Sequence, residues 1–184
     1  MSWIDQRPDD AMDGAFAAVS PTPFDTVDSS VFREAMSRLG AAVHVVTTDG
    51  PAGKGGFTAT AVCSVSDSPA TLLACLNRRS QSTQVFPLNG VLCVNTLGAD
   101  QEAVATMFSG RTGVSMAERF CGPEWIYLKT GCPVLATAVV AFDCRIIEVK
   151  AVATHNVLIA GVEAIHLGPG GPALVYHDRA YKRV

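Results

Sequence analysis

Charge is scarce in this chain. Only 17% of its 184 residues are Asp, Glu, Lys or Arg, against about 25% in an average globular protein. The 14 basic and 17 acidic residues leave a net charge of −3, without the basic field of a dedicated nucleic-acid binder. No uninterrupted apolar run approaches the roughly 18 residues of a spanning helix, so no membrane segment is expected. Cysteine is present six times (63, 75, 93, 121, 132 and 144) but never as C-x-x-C. That spacing disfavours a zinc site or a disulfide framework. The four histidines (His44, His155, His166, His177) show no i,i+4 pair, and no metal is expected. G-x-S-x-G and G-x-G-x-x-G are both absent, which removes the serine-hydrolase elbow and the dinucleotide-binding fingerprint. Gly50-Pro51-Ala52-Gly53-Lys54 has the wrong spacing for a phosphate loop, and glycine follows its lysine.

Apolar residues are plentiful, at 48%, which excludes a largely disordered chain. The length suits one domain. Residues 1–28 read as a loose tail rich in Pro and Asp, ahead of a domain over 29–184. The first ten residues carry acids and no apolar stretch, so no secretory leader is expected and the cytoplasm is the expected compartment. Asp28 or Ser29 can cap a helix whose face is Phe32, Ala35, Met36 and Leu39, ending at Gly40.

Beyond Gly40 the period becomes strand-like. Strands are expected at 41–48, 55–66, 70–76, 91–97, 139–149, 156–165 and 173–177, with a hairpin at Asp49-Gly50. Short helices are expected at 80–87, 100–108 and 113–120. Many strands with short connections favour an antiparallel barrel over a parallel sheet. The apolar run Thr71–Leu76 predicts a strand covered on both faces, by the barrel interior and by a helix or partner subunit, and Cys63, Cys75, Cys93 and Cys144 read as small buried hydrophobes. A barrel this apolar is expected to leave a patch for a second copy, giving a homodimer. Gly168-Pro169-Gly170-Gly171-Pro172 reads as a turn.

The polar residues that remain gather at strand ends. Asn77-Arg78-Arg79-Ser80-Gln81-Ser82-Thr83 follows an apolar strand and opens an expected helix. Such a helix start, carrying hydroxyls and two arginines, is a suitable seat for a phosphate. Simple capping by Asn77 or Ser80 beside solvated arginines is the alternative.

Three runs, Phe32-Arg33-Glu34-Ala35-Met36, Gly40–Thr48 and Gly56-Phe57-Thr58-Ala59-Thr60-Ala61-Val62-Cys63-Ser64-Val65-Ser66, resemble the short-chain flavin reductase family. Members of that family are the reductase components of two-component flavin monooxygenases. The likeness continues through Pro69, Asn77-Arg78, Ser80, Val94–Leu97, Phe108, Gly131-Cys132-Pro133, Thr154-His155 and Tyr176, covering about residues 30–182. Thr47–Gly53, Cys75–Arg78 and Ala141–Arg145 are most similar to the branch that serves pyrimidine utilisation. A near relative reduces a corrinoid, cob(II)yrinic acid diamide. That acceptor, or a non-catalytic flavin- or haem-binding role, is the alternative reading.

The resemblance implies a mainly β, Greek-key split barrel of the FMN-binding type, dimeric, that reduces FMN (or FAD) with NADH (or NADPH). The reduced flavin would pass to a partner monooxygenase. It implies that Thr58, Ala59, Thr60 and Ala61 line the flavin ring and ribityl chain. Asn77, Ser80, Ser82 and Thr83, with Arg79 beside them, would meet the ribityl chain and phosphate, and Asn95 and Leu97 a further flavin edge. His155 matches the histidine of a Gly-Asp-His motif that meets the nicotinamide nucleotide, although Ala153-Thr154 stand here for Gly-Asp. No catalytic acid, base or nucleophile is implied, because hydride passes between two bound cofactors.

Overall fold

The computed structural model describes residues Asp25–Val184. Most of the expected tail lies outside them. The first helix, α1 (Ser29–Ser37), starts where Asp28 Oδ1 accepts the Ser30 N–H at 2.7 Å. That is the cap expected at this position.

The remainder is built mainly from strands. These are β1 (Ala41–Ala42), β2 (His44–Thr48), β3 (Gly55–Ala59), β4 (Val62–Asp67), β5 (Ala70–Asn77) and β6 (Val91–Thr96), followed by β7 (Trp125–Tyr127) and β8 (Pro133–Leu135). Two 13-residue strands come next, β9 (Val140–Val152) and β10 (His155–Leu167), and the chain closes with β11 (Leu174–His177) and β12 (Ala180–Arg183). Three short helices interrupt them: α2 (Val85–Asn89), α3 (Glu102–Phe108) and α4 (Met116–Arg119). No described helix is long and apolar enough to cross a membrane.

Seven strands form one antiparallel sheet in the order β3-β2-β6-β9-β10-β5-β4. Its two outermost strands, β3 and β4, are consecutive in the chain, so the sheet curls back on itself as a split barrel. The expected strand over 55–66 is thus two strands with different neighbours. β3 pairs with β2 and β4 with β5, and the chain turns at Thr60-Ala61. Periodicity alone cannot show this corner, because alternation of small polar and apolar residues runs straight through it. β7, β8 and β12 are too short, or too mixed in pattern, to stand out in the sequence.

Within the single chain, coverage on both faces belongs to β2 and β6 rather than β5. Val45 and Cys93 pack in one apolar cluster with Leu97, Phe108 and Leu135. Their chain neighbours Val46 and Val94 pack in a second cluster with Phe86, Leu76 and Leu158. Strands sandwiched in this way read as unbroken apolar runs. β5 instead alternates: Leu72, Ala74 and Leu76 are buried, while Thr71, Leu73 and Cys75 are half-exposed. Cys93 and Cys144 are buried as expected, but Cys63 is exposed because it points outward from β4 beside Leu73.

The helix expected at 80–87 begins later, at Val85. Residues 78–84 form consecutive turns, with Ser80 N–H donating to Asn77 O (2.9 Å) and Thr83 N–H to Ser80 O (3.1 Å). The asparagine, serine and threonine side chains stabilise turns as readily as helix starts.

Candidate functional site

The corner between β3 and β4 opens a cavity of about 680 Å³. That volume lies within the range of about 300–1,000 Å³ usual for small-molecule and cofactor sites. One wall is β3 with the corner itself, Gly56 to Ala61. The second is the end of β5 and the turn after it, from Cys75 to Ser82. His155 stands beside that wall because β10 begins in register with the last residue of β5, His155 opposite Asn77. The third wall is the segment joining α3 to α4, with Phe108, Val114, Met116 and Arg119 among its residues.

Of the residues singled out in the sequence, Thr58, Ala59, Thr60, Ala61, Asn77, Arg79, Ser80, Ser82 and His155 line this one cavity. Thr83 does not. Its hydroxyl donates to the Asn77 carbonyl at 2.8 Å, closing the turn from behind. Asn95 and Leu97 are also elsewhere, both fully buried at 0% exposure. Asn95 Nδ2 donates to Val45 O (3.0 Å) and Thr47 Oγ1 (3.2 Å), and its Oδ1 accepts the Leu135 N–H (2.7 Å). Asn95 therefore ties β2, β6 and β8 together inside the core. A strand-end position looks alike in sequence whether its side chain faces a cavity or the core.

Several cavity side chains are held by local bonds. Thr58 Oγ1 donates to the Ala105 carbonyl at 2.6 Å, fixing β3 to α3. Ser82 Oγ donates to Gly56 O at 3.3 Å, joining the turn to β3. Asn77 Oδ1 accepts the Arg79 N–H at 2.9 Å. His155 Nδ1 lies 2.9 Å from Thr154 Oγ1, and Ala153 takes φ 47° in the tight turn between β9 and β10. Gly56 has a steric reason to be glycine, since a Cβ there would sit 2.6 Å from Phe108 Cε1.

The third wall was not singled out in the sequence. Its position depends on an aromatic cluster in which Phe108 packs edge-on against Phe120 (5.2 Å between centroids) and Trp125 (6.0 Å). Within α4, Ser115 and Glu118 form a capping box. The spacing Ser115-x-x-Glu118 could have located this helix start, but not the direction in which Arg119 points.

The electrostatics of the lining are one-sided. Arg79, Arg119 and His155 face the cavity, and no Asp or Glu is among its lining residues. In a chain of net charge −3, this is a local site for an anion. No nucleophile–base pair accompanies it. The flat strand wall, the apolar patches at Phe108 and Met116 and the cationic groups together suit a planar ring joined to a phosphate.

Comparison with known proteins places the chain. The flavin reductase like domain matches residues 36–184. The FMN reductase (NADH) RutF 2 of Methylorubrum extorquens (strain PA1) is 56% identical over 158 residues, covering 86% of this chain and 91% of that protein. A crystal structure from Haemophilus somnus 129pt, provisionally assigned as a flavin reductase, is 46% identical. It superposes with a TM-score of 0.82 over 86% of this chain and 100% of its own. BorF, the flavin reductase component of a bacterial two-component tryptophan halogenase, is 26% identical with a TM-score of 0.79, covering 85% of this chain and 98% of that one.

Proposed function

Because the chain belongs to the flavin reductase family, we propose that the cavity at the β3–β4 corner binds FMN and receives NADH beside it. The observation that carries this reading is the joining of a strand wall, Thr58–Ala61, to a lining with three basic residues and no carboxylate. When bound, flavin supplies the hydride-accepting ring, and the nicotinamide supplies the hydride. The protein's task is positioning, and proximity of this kind contributes several kcal/mol to a reaction barrier. The strand wall would support the ring. The turn from Asn77 to Ser82 would meet the ribityl chain and phosphate, while His155 orients the nicotinamide nucleotide from the rim. None of these roles requires a perturbed acid or base.

The reduced flavin would then leave for a separate oxygen-using component. The similarity to BorF, itself a reductase component, supports that step. Pyrimidine breakdown is the proposed setting, supported by the 56% identity to RutF 2. A homodimer is proposed from the outer face of the sheet, where Cys63, Leu73 and Ile159 stand in register on adjacent strands with partly exposed side chains. Val65 on β4 and Ile165, further along β10, are more than half exposed. Free cysteines and nicotinamide chemistry fit the cytoplasm.

The test is NADH oxidation with added FMN at catalytic protein concentration. Multiple turnovers are expected, and their absence would overturn the assignment. Light scattering at micromolar concentration should give twice the chain mass, and a stable monomer would exclude the dimer.

A further inference from the structure

Arg119 is the unexplained group in the cavity. It is only 6% exposed, yet its side chain has no ion pair among the described residues. Its one side-chain hydrogen bond there is from Nε–H to the Val114 carbonyl at 3.2 Å. The nearest acid in sequence, Glu118, is bound to Ser115 by both backbone N–H (3.0 Å) and hydroxyl (2.5 Å). A buried cation without a counter-charge is costly. Among the described residues no buried polar side-chain atom lacks a partner, so the two terminal guanidinium nitrogens reach open space, and the space that Arg119 lines is the cavity.

We infer that Arg119 is a binding residue for the phosphate of the flavin nucleotide, with its two terminal nitrogens presented to the phosphate oxygens. The inference rests on the flavin reading of the cavity. Planar bidentate contact is the strength of arginine toward phosphate. With Nε fixed by Val114, the fork is oriented before the ligand arrives, and the Phe108–Phe120–Trp125 cluster holds the backbone on its C-terminal side. The phosphate is preferred over the ring because the oxidised ring is neutral, whereas the phosphate carries its charge throughout.

The turn on the facing wall is already committed to its own structure. Ser82 Oγ bonds Gly56 O, Thr83 Oγ1 bonds Asn77 O, and Ser80 Oγ accepts the Ser82 N–H at 3.3 Å. Arg79 is exposed, where solvent weakens its pull. Arg119 is therefore the cation best placed to discriminate ligands with and without phosphate.

Binding of FMN and of riboflavin to wild type, Arg119→Gln and Arg119→Lys tests this. Loss of the charge should weaken FMN by about ten- to a hundredfold, the usual range for a hydrogen bond to a charged group. Riboflavin should change less than about threefold, and Arg119→Lys should fall between. The FMN-dependent rise in Tm should shrink in Arg119→Gln, while the riboflavin-dependent rise persists. Equal weakening of both ligands, or unchanged FMN affinity, would overturn the assignment. If Arg119→Gln does not fold, Arg119→Lys carries the same comparison. Wild type that turns over FMN with NADH beside variants of unaltered FMN preference would sink this inference alone. Wild type that binds no flavin would sink the reading beneath it.

Discussion

Replacing Asn95 by alanine removes four hydrogen bonds, a weak one from the Cys93 thiol at 3.6 Å among them, from a site with 0% exposure. The Leu135 N–H loses its acceptor, and the Val45 carbonyl and Thr47 hydroxyl lose a donor. Thr47 Oγ1 keeps its bond to the Pro133 carbonyl at 2.5 Å, so it is the least affected. An unsatisfied buried polar group costs about 1–3 kcal/mol, and two such groups give a loss of about 2–6 kcal/mol. In a chain of this size each kcal/mol lowers Tm by about 2–4 °C, so a fall of at least about 4 °C is expected. The assay is a thermal melt followed by flavin titration at a temperature where both proteins are folded. FMN affinity should stay within about twofold of wild type, because Asn95 does not line the cavity. A variant with normal Tm and strongly weakened FMN binding would refute this placement and restore Asn95 to the flavin site.

His44 is buried on β2, its Nδ1 3.1 Å from Thr96 Oγ1, and burial pushes its pKa down to about 4. The unfolded chain therefore takes up the proton first, so stability is full above about pH 6.5 and falls as pH drops toward 4. The loss is about 2 kcal/mol by pH 5. Urea melts across this window should show that slope, and a His44→Gln variant with the same slope would contradict it. Gly56→Ala should destabilise by about 1–3 kcal/mol as Phe108 is displaced, and flavin titration should show weakened binding. An unchanged melt would mean that the ring has room to move. His155→Ala should raise the KM for NADH by about tenfold or more with little change in FMN affinity. An equal rise in the FMN dissociation constant would place His155 at the flavin instead.

Much of the barrel is legible in the order of residues. The β-branched run at 44–48, the Asp49-Gly50 turn and the apolar stretches at 70–77 and 91–96 announce strands, and antiparallel pairing follows from their short connections. Two walls of the cavity are legible too, because the strand and the turn that build them are each continuous segments with unusual polar content. The third wall was not legible. The sequence announces a short helix near 113–120 but not which way it faces; residues 108–119 line the cavity because three aromatic rings meet across sequence, at 108, 120 and 125.

The sequence by itself determined which segments extend, where they turn, and that the lining of any site must rely on hydroxyls, amides and a few cations. Local periodicity and backbone preference act over a handful of residues, so they leave their record there. Only the tertiary structure decided that one apparent strand breaks at Thr60-Ala61, that Asn95 faces inward and that Arg119 lines the same cavity as Ser82. Those outcomes depend on which face of each strand meets the core. A single-residue difference in register reverses that face without altering the pattern of the chain.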